Sequence, residues 1–200
     1  KILAGTERRS GMNDVFTAFR KNYISPAVDQ LFAGASDQYM ANDGWASQNA
    51  YLSYFGRVNY DLSRKYLLEF VWRYDGSYMF PESKRFGFFP GISAGWRISD
   101  ENFWKNSLAF FNDFKIRGSW GQTGNDRIAE YQYLTTYGFT GGRTYVFGGD
   151  DNKLLIETKI QNPDVTWEVA NQANIGFDAT LLNNKLLVNA EYFNTLRISE

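Results

Sequence analysis

Near-complete alternation of apolar and polar side chains, an 18% aromatic content, and very short links alternating with very long ones predict an all-β chain. The fold class is an antiparallel transmembrane β-barrel wall of about seven strands, open as a fragment and part of a larger barrel. The 200 residues include 17 Phe, 13 Tyr and 6 Trp but neither cysteine nor histidine. That composition excludes disulfides, thiolate metal sites and Ser-His or Cys-His catalysis within this stretch. A net charge of −1 gives no global field to recruit nucleic acid. No run of about 18 apolar residues exists, so no transmembrane helix is expected.

Seven strands are expected near residues 1–9, 49–62, 65–77, 85–98, 114–124, 166–181 and 185–197. The first is the short "KILAGTERR". The second sets Leu52, Tyr54, Val58, Tyr60 and Leu62 against Ser53, Arg57, Asn59 and Asp61, with Phe55 as an exception. In the third, Tyr66, Leu68, Phe70, Trp72 and Tyr74 oppose Lys65, Glu69, Arg73 and Asp75. The fourth opposes Phe86, Phe88, Ile92, Ala94, Trp96 and Ile98 to Gly87, Gly91, Ser93, Gly95 and Arg97, and the fifth opposes Phe114, Ile116 and Trp120 to Lys115, Arg117 and Ser119. "WEVANQANIGFDATL" and "KLLVNAEYFNT" close the series, with Trp167, Ile175, Phe177 and Tyr192 on the apolar side.

Ser63-Arg64 and Asn183-Asn184 are the tight links, and asparagine tolerates the positive φ such hairpins need. The link 99–113 predicts a short helix, with Ser99 able to cap it and Asp100 and Glu101 near its positive end. Long outer loops are expected at 10–46 and 125–165, on the same end of the sheet. Aromatics gather where strands leave the apolar zone: Tyr60, Tyr66, Trp96 and Phe114 near the short turns, and Tyr54, Tyr74, Phe86, Trp120, Trp167 and Tyr192 toward the long loops. From Tyr66 to Tyr74, eight steps of about 3.3 Å at a tilt of about 40° span roughly 20 Å, close to the apolar band of about 25 Å. Lipid outside and water inside explain both faces. A seven-stranded wall needs further strands from a longer chain to close.

"YFGRVNYDLSRKYLLEFVWRYDGS", "RFGFFPGISAGWRISDENF", "KIRGSWGQTGN" and "NPDVTWEVANQANIGFDATLLNNKL" together resemble the SusC/RagA family of TonB-linked outer-membrane transporters. The resemblance runs from about Tyr51 to Phe193. It implies a plugged barrel of about 22 strands, a SusD-like lid lipoprotein, energy from the TonB system, and import of large nutrients such as glycans or oligopeptides. It places the chain in the outer membrane of a Gram-negative, Bacteroidota-like bacterium. The plug domain is expected to be absent from this stretch. Expected partners are the remaining strands and plug of the parent chain, the lid, the TonB system and lipid, with no nucleic acid, cofactor or metal.

Candidate lumen-facing polar residues are Arg57, Glu69, Arg73, Asp75, Arg97, Lys115 and Arg117, a wall of cross-strand ion pairs. Their carboxylates also raise glycosidase chemistry, but nothing in the sequence sets the required separation. Trp45, Tyr131, Tyr133, Tyr137 and Tyr145 are candidate solute or lid contacts, with Phe139 and Phe147 beside them. Packing of the loops against one another accounts for these aromatics equally. "GQTGN" at 121–125 lacks the Gly-Lys-Ser/Thr ending of a phosphate loop and reads as a strand leaving the membrane. "GGDDNK" at 148–153 offers oxygen ligands without calcium-loop spacing. Gly87, Gly91 and Gly95 admit two readings: relief of crowding at a bend, or close approach of the plug. No catalytic residue is assigned. The rival architectures are a soluble aromatic-rich glycan-binding β-sandwich and an outer-membrane barrel enzyme.

Overall fold

A period of two gives every strand two unlike faces, and cross-strand register decides whether like faces meet. A computed structural model of the chain describes residues 1–36, 40–107, 111–147 and 150–198. The strands are β1 (Ile2–Phe19), β2 (Ala41–Leu62), β3 (Tyr66–Ser77), β4 (Phe86–Arg97), β5 (Phe111–Asn125), β6 (Thr136–Phe147), β7 (Asp150–Lys159), β8 (Glu168–Leu181) and β9 (Leu186–Ile198). One helix, α1 (Asn102–Ser107), joins β4 to β5. Seven strands form one sheet in the order β1-β2-β3-β4-β5-β8-β9, curled into a half-barrel, while β6 and β7 pair separately. Strands β1 and β9 are the edges of the larger sheet.

The register carries single rungs across the wall. Val58, Phe70, Ile92, Trp120 and Ala173 are successive partners, and so are Tyr60, Leu68, Ala94, Gly118, Ile175 and Tyr192. One step along, on the other face, lie Asn59, Glu69, Ser93, Ser119 and Asn174. An apolar belt therefore backs onto a polar face without a break. The expected girdles form as ring pairs: Tyr66 stacks on Trp96 at 6.3 Å near the short turn, and Tyr74 on Phe86 at 4.9 Å near the long loops. Such pairs stiffen the belt at the levels where apolar chains give way to headgroups.

The tight links need left-handed backbone. Ser63 and Arg64 have φ of 54° and 58°, and the turn closes with the Lys65 amide on the Leu62 carbonyl. Leu182, Asn183 and Asn184 are also left-handed, so the second link begins one residue earlier than the asparagine pair suggests. The expected helix forms, but Ser99 does not cap it. That side chain is buried, and its hydroxyl donates to Asp113 at 2.8 Å. The Glu101 carbonyl accepts the first helical amides instead.

Two boundaries differ from expectation. Strand β1 continues to Phe19 and β2 begins at Ala41, so much of 10–46 is strand. The segment 125–165 contains the β6-β7 hairpin. The β6-β7 hairpin pairs apart from the larger sheet.

By contact density the chain divides into Lys1–Arg8 with Tyr51–Glu200, and Arg9–Ala50. Within the second unit the Arg20 guanidinium donates to the Gly34 carbonyl at 3.2 Å, fastening the segment between β1 and β2 onto the end of β1. Phe16, Ile24, Phe32 and Trp45 of that unit are all exposed.

Candidate functional site

The polar face of the curled sheet lines a groove of about 1070 Å³ to which β1 through β5, β8 and β9 all contribute. Arg57, Glu69, Arg73 and Asp75 line it. A second groove of about 670 Å³ is lined by Asp61, Glu69, Lys115 and Arg117. Pleat parity alone delivers these side chains to one face.

Their pairing depends on register. Lys115 and Asp178 are direct cross-strand partners, and the ammonium meets the carboxylate at 3.0 Å. Arg117 reaches the same Asp178 at 3.4 Å and Glu191 on β9 at 2.9 Å. Glu191 lies two strands away, in the rung Arg117, Gly176, Glu191. A Cβ on Gly176 would stand 3.4 Å from the guanidinium carbon, so the missing side chain leaves the saddle over which Arg117 crosses β8. Asn174 also donates to Glu191. The result is a five-residue polar chain over three strands, Lys115-Asp178-Arg117-Glu191-Asn174.

Arg73 grips Asp75 with two hydrogen bonds of 2.9 Å and lies 5.6 Å from the Phe55 ring centre. This accounts for the apolar exception in β2. Phe55 faces the polar side, where it covers Gly5 and offers a π-face to the guanidinium. Arg97 lies at the short-turn rim instead, between Asp113 at 3.5 Å and Asp100 at 3.9 Å.

The same rim holds a four-membered cluster. The Glu101 carboxylate accepts from the Tyr66 hydroxyl at 2.8 Å, the Lys65 ammonium at 3.1 Å and the Trp96 indole at 3.4 Å. The Tyr66 bond above all, then Lys65, holds this carboxyl below the usual glutamate range. Its unfolded form binds protons first as pH falls. Its contribution to stability is thus complete above the ordinary value of about 4.3 and is lost as pH drops through the lower folded value. Glu101→Gln should flatten that acid limb in an unfolding series and lower stability at neutral pH by an amount that does not vary with pH. An unchanged acid limb would show that the cluster does not titrate with folding.

At the opposite end Phe89 lies on the polar face over Gly87 and Gly124. A Cβ at those glycines would fall 2.4 Å and 2.1 Å from its ring. Trp167 packs on Phe89 at 5.2 Å, and fully buried Phe80 packs on Trp167 at 5.0 Å. The Trp167 indole donates to the Arg85 carbonyl. Trp167 is therefore not an outward girdle residue: it precedes the first ladder residue of β8, so pleat parity does not bind it. A Cβ on Gly91 would fall 2.8 Å from the Val71 side chain, and one on Gly95 would meet Leu67 at ordinary contact distance. The regularly spaced glycines of β4 thus admit side chains from the wall itself. Below Phe80, buried Ser77 donates to Asp126 and ties β3 to the segment after β5.

No protein-family model matches the chain. TonB-dependent receptor SusC of Bacteroides thetaiotaomicron is 36% identical over 143 residues, covering 71% of this chain and 14% of that protein. TonB-dependent receptor P26 of Formosa agariphila is 35% identical over 141 residues, again 70% of this chain and 14% of the relative. The structure of the RagAB peptide transporter superposes with a TM-score of 0.82 and 26% identity over 96% of this chain and 21% of that one. The chain belongs to the SusC/RagA family of TonB-dependent receptors. It is outer-membrane β-barrel wall. It spans about a seventh of the length of these two curated relatives.

In this SusC/RagA segment the loop aromatics scatter more than their composition suggests. Trp45 lies on β2 within the unit Arg9–Ala50, and Tyr137 on β6, both well exposed. Tyr131 has a left-handed φ of 56° in the turn before β6, and Tyr133 is half-buried beside it. The side chains of Tyr145 and Phe147 lie outside the described residues, as do Gly148, Gly149 and the side chains of 150–153. Sequence reasoning missed Tyr51 and Tyr78. Their rings meet edge to face at 5.5 Å, and the Tyr78 hydroxyl donates to Glu130. Desolvation first, then that carboxylate, pushes the Tyr78 phenol well up. In the sequence Tyr51 stands near the start of the second expected strand and Tyr78 just past the third, where aromatics were already expected to gather.

Proposed function

We propose that the chain supplies wall, lumen lining and part of the outer vestibule of a TonB-dependent importer of large nutrients, glycans or oligopeptides. It works with a SusD-like lid lipoprotein and is completed by further strands and a plug. The observation that carries this reading is the polar, ion-paired face opposite a girdled apolar belt, set beside transporter relatives. Solute is captured between the outer loops and the lid. TonB then draws the plug aside, and the solute passes along a lumen wall that includes Arg57, Glu69, Arg73, Asp75, Lys115 and Arg117. Charges of both signs, with Arg73 held by Asp75 and Lys115 and Arg117 held by Asp178, let polar solutes slide past without a single deep trap. The work is transport and no covalent chemistry is assigned.

The β6-β7 hairpin is the vestibule's candidate contact. Tyr137, Phe139 and Leu155 are exposed on it, more apolar surface than a loop in water needs. Tyr131 and Tyr133 precede it, and Trp45 belongs to the other candidate loop. Deleting residues 140–152 from the complete transporter should weaken lid association or uptake while barrel assembly stays intact. Co-purification of the lid and uptake of labelled oligosaccharide and oligopeptide pools measure this. Unchanged lid binding together with unchanged uptake would reduce the hairpin to packing.

A further inference from the structure

Helix α1 lies on the wrong side of the wall for a lumen element. Its Trp104 stacks on Phe114 at 5.1 Å with ring planes 6° apart, and Phe114 belongs to the apolar face with Ile116 and Phe177. Phe111 joins from the edge, 5.5 Å from Trp104 and 5.6 Å from Phe114. It reaches that face only because the β5-β8 register shifts between Phe111 and Asp113. This bulge pairs Phe111 with Leu181 and turns it outward. Ala179, the partner of Phe114, and Leu181 are both buried, whereas Ile116, Ile175 and Tyr192 of the same face are exposed. The helix then presents Phe103, 59% exposed, with Lys105 exposed beside it. The stack adjoins the girdle pair Tyr66-Trp96, whose Trp96 is the partner of Ile116. The patch is continuous with the lipid-facing belt at its short-turn end.

We propose that α1 is an interfacial foot seated in the phospholipid leaflet at the short-turn rim. Phe103 enters the acyl boundary, and Lys105 extends its ammonium to lipid phosphates. The chemistry fits the level: a ring buried among apolar groups, and a flexible cation that keeps its head in the polar layer. Trp104 is the pivot between foot and wall, its indole nitrogen buried without a hydrogen-bond partner among the described residues. Aromatic stacking on Phe114 then fixes the height of the foot relative to the strands. This inference rests on the outer-membrane setting and not on what the transporter imports.

The test uses the complete transporter in phospholipid nanodiscs, with single spin labels at Phe103→Cys, Lys105→Cys and, as the reference in the short turn, Arg64→Cys. The expected result is a severalfold preference for oxygen over a water-soluble nickel chelate at position 103 relative to position 64. At position 105 a nickel-chelating lipid headgroup should broaden the signal. Nickel access at 103 equal to that at 64 would place the helix in water and overturn the proposal. Protection of 103 from both reagents would mean that another protein segment covers it, which overturns it equally. Because lipid contact is read directly, failure here leaves uptake, and so the importer reading, untouched.

Discussion

Leu68→Arg should destabilise the barrel by about 2–4 kcal/mol in a folding titration, because it sets a guanidinium against the middle of the lipid-facing belt. Leu68 lies between Tyr60 and Ala94 on a rung that runs apolar from β2 to β9. No polar neighbour on that rung is placed to receive the charge. The same substitution at Val71 should cost clearly less. Val71 faces the groove between Arg57 and Gly91, and a longer stem can lie over the glycine toward water. The pair is a control on itself, since both residues sit in the same strand three positions apart. Equal losses at the two positions would count against a membrane outside and water inside.

The second large effect belongs to the mouth. Phe80→Ala should cost about 3–5 kcal/mol of local stability, as expected for emptying a fully buried aromatic site. Phe80 rests on Trp167, which rests on Phe89, which fills the space left by Gly87 and Gly124. Removing the outermost ring leaves a cavity above an intact ladder. The β4-β5 and β5-β8 pairings below do not depend on it. Hydrogen exchange and limited proteolysis should therefore accelerate in residues 78–85 and near Val165 while the strand cores stay protected. Uniform loss of protection through the strands would show that the mouth and the wall fold as one unit.

Much of this molecule was open to reading from the chain because a β-barrel writes its environment into a period of two. Phe70 and Glu69 declare opposite faces by adjacency alone, and the observed rungs keep them apart. Tyr66, Trp96, Tyr74 and Phe86 mark the two interfaces because only amphipathic rings suit that level. The code lapses in the outer half of β1, which carries no alternation, and in β6, where Gly141 and Gly142 separate Tyr137 and Phe139 from Tyr145 and Phe147; both segments were expected as loops. Trp167 misled for a related reason, since it stands just outside the ladder that would have fixed its direction. Ser99 looked like a helix cap locally, but burial gave its hydroxyl to Asp113.

By itself, then, the sequence determined the faces, the belt and its girdles, the tight turns and the absence of cysteine and histidine chemistry. Each is a local property, set by neighbours along the chain and by the solvent each face must meet. Only the tertiary structure decided which charges pair, that Arg117 crosses Gly176 to reach Glu191, and that a bulge beside Asn112 turns Phe111 outward to seat α1. Those contacts join residues on different strands. Their existence depends on register and on the absence of a side chain between them, and neither quantity is carried by the pattern of any one strand.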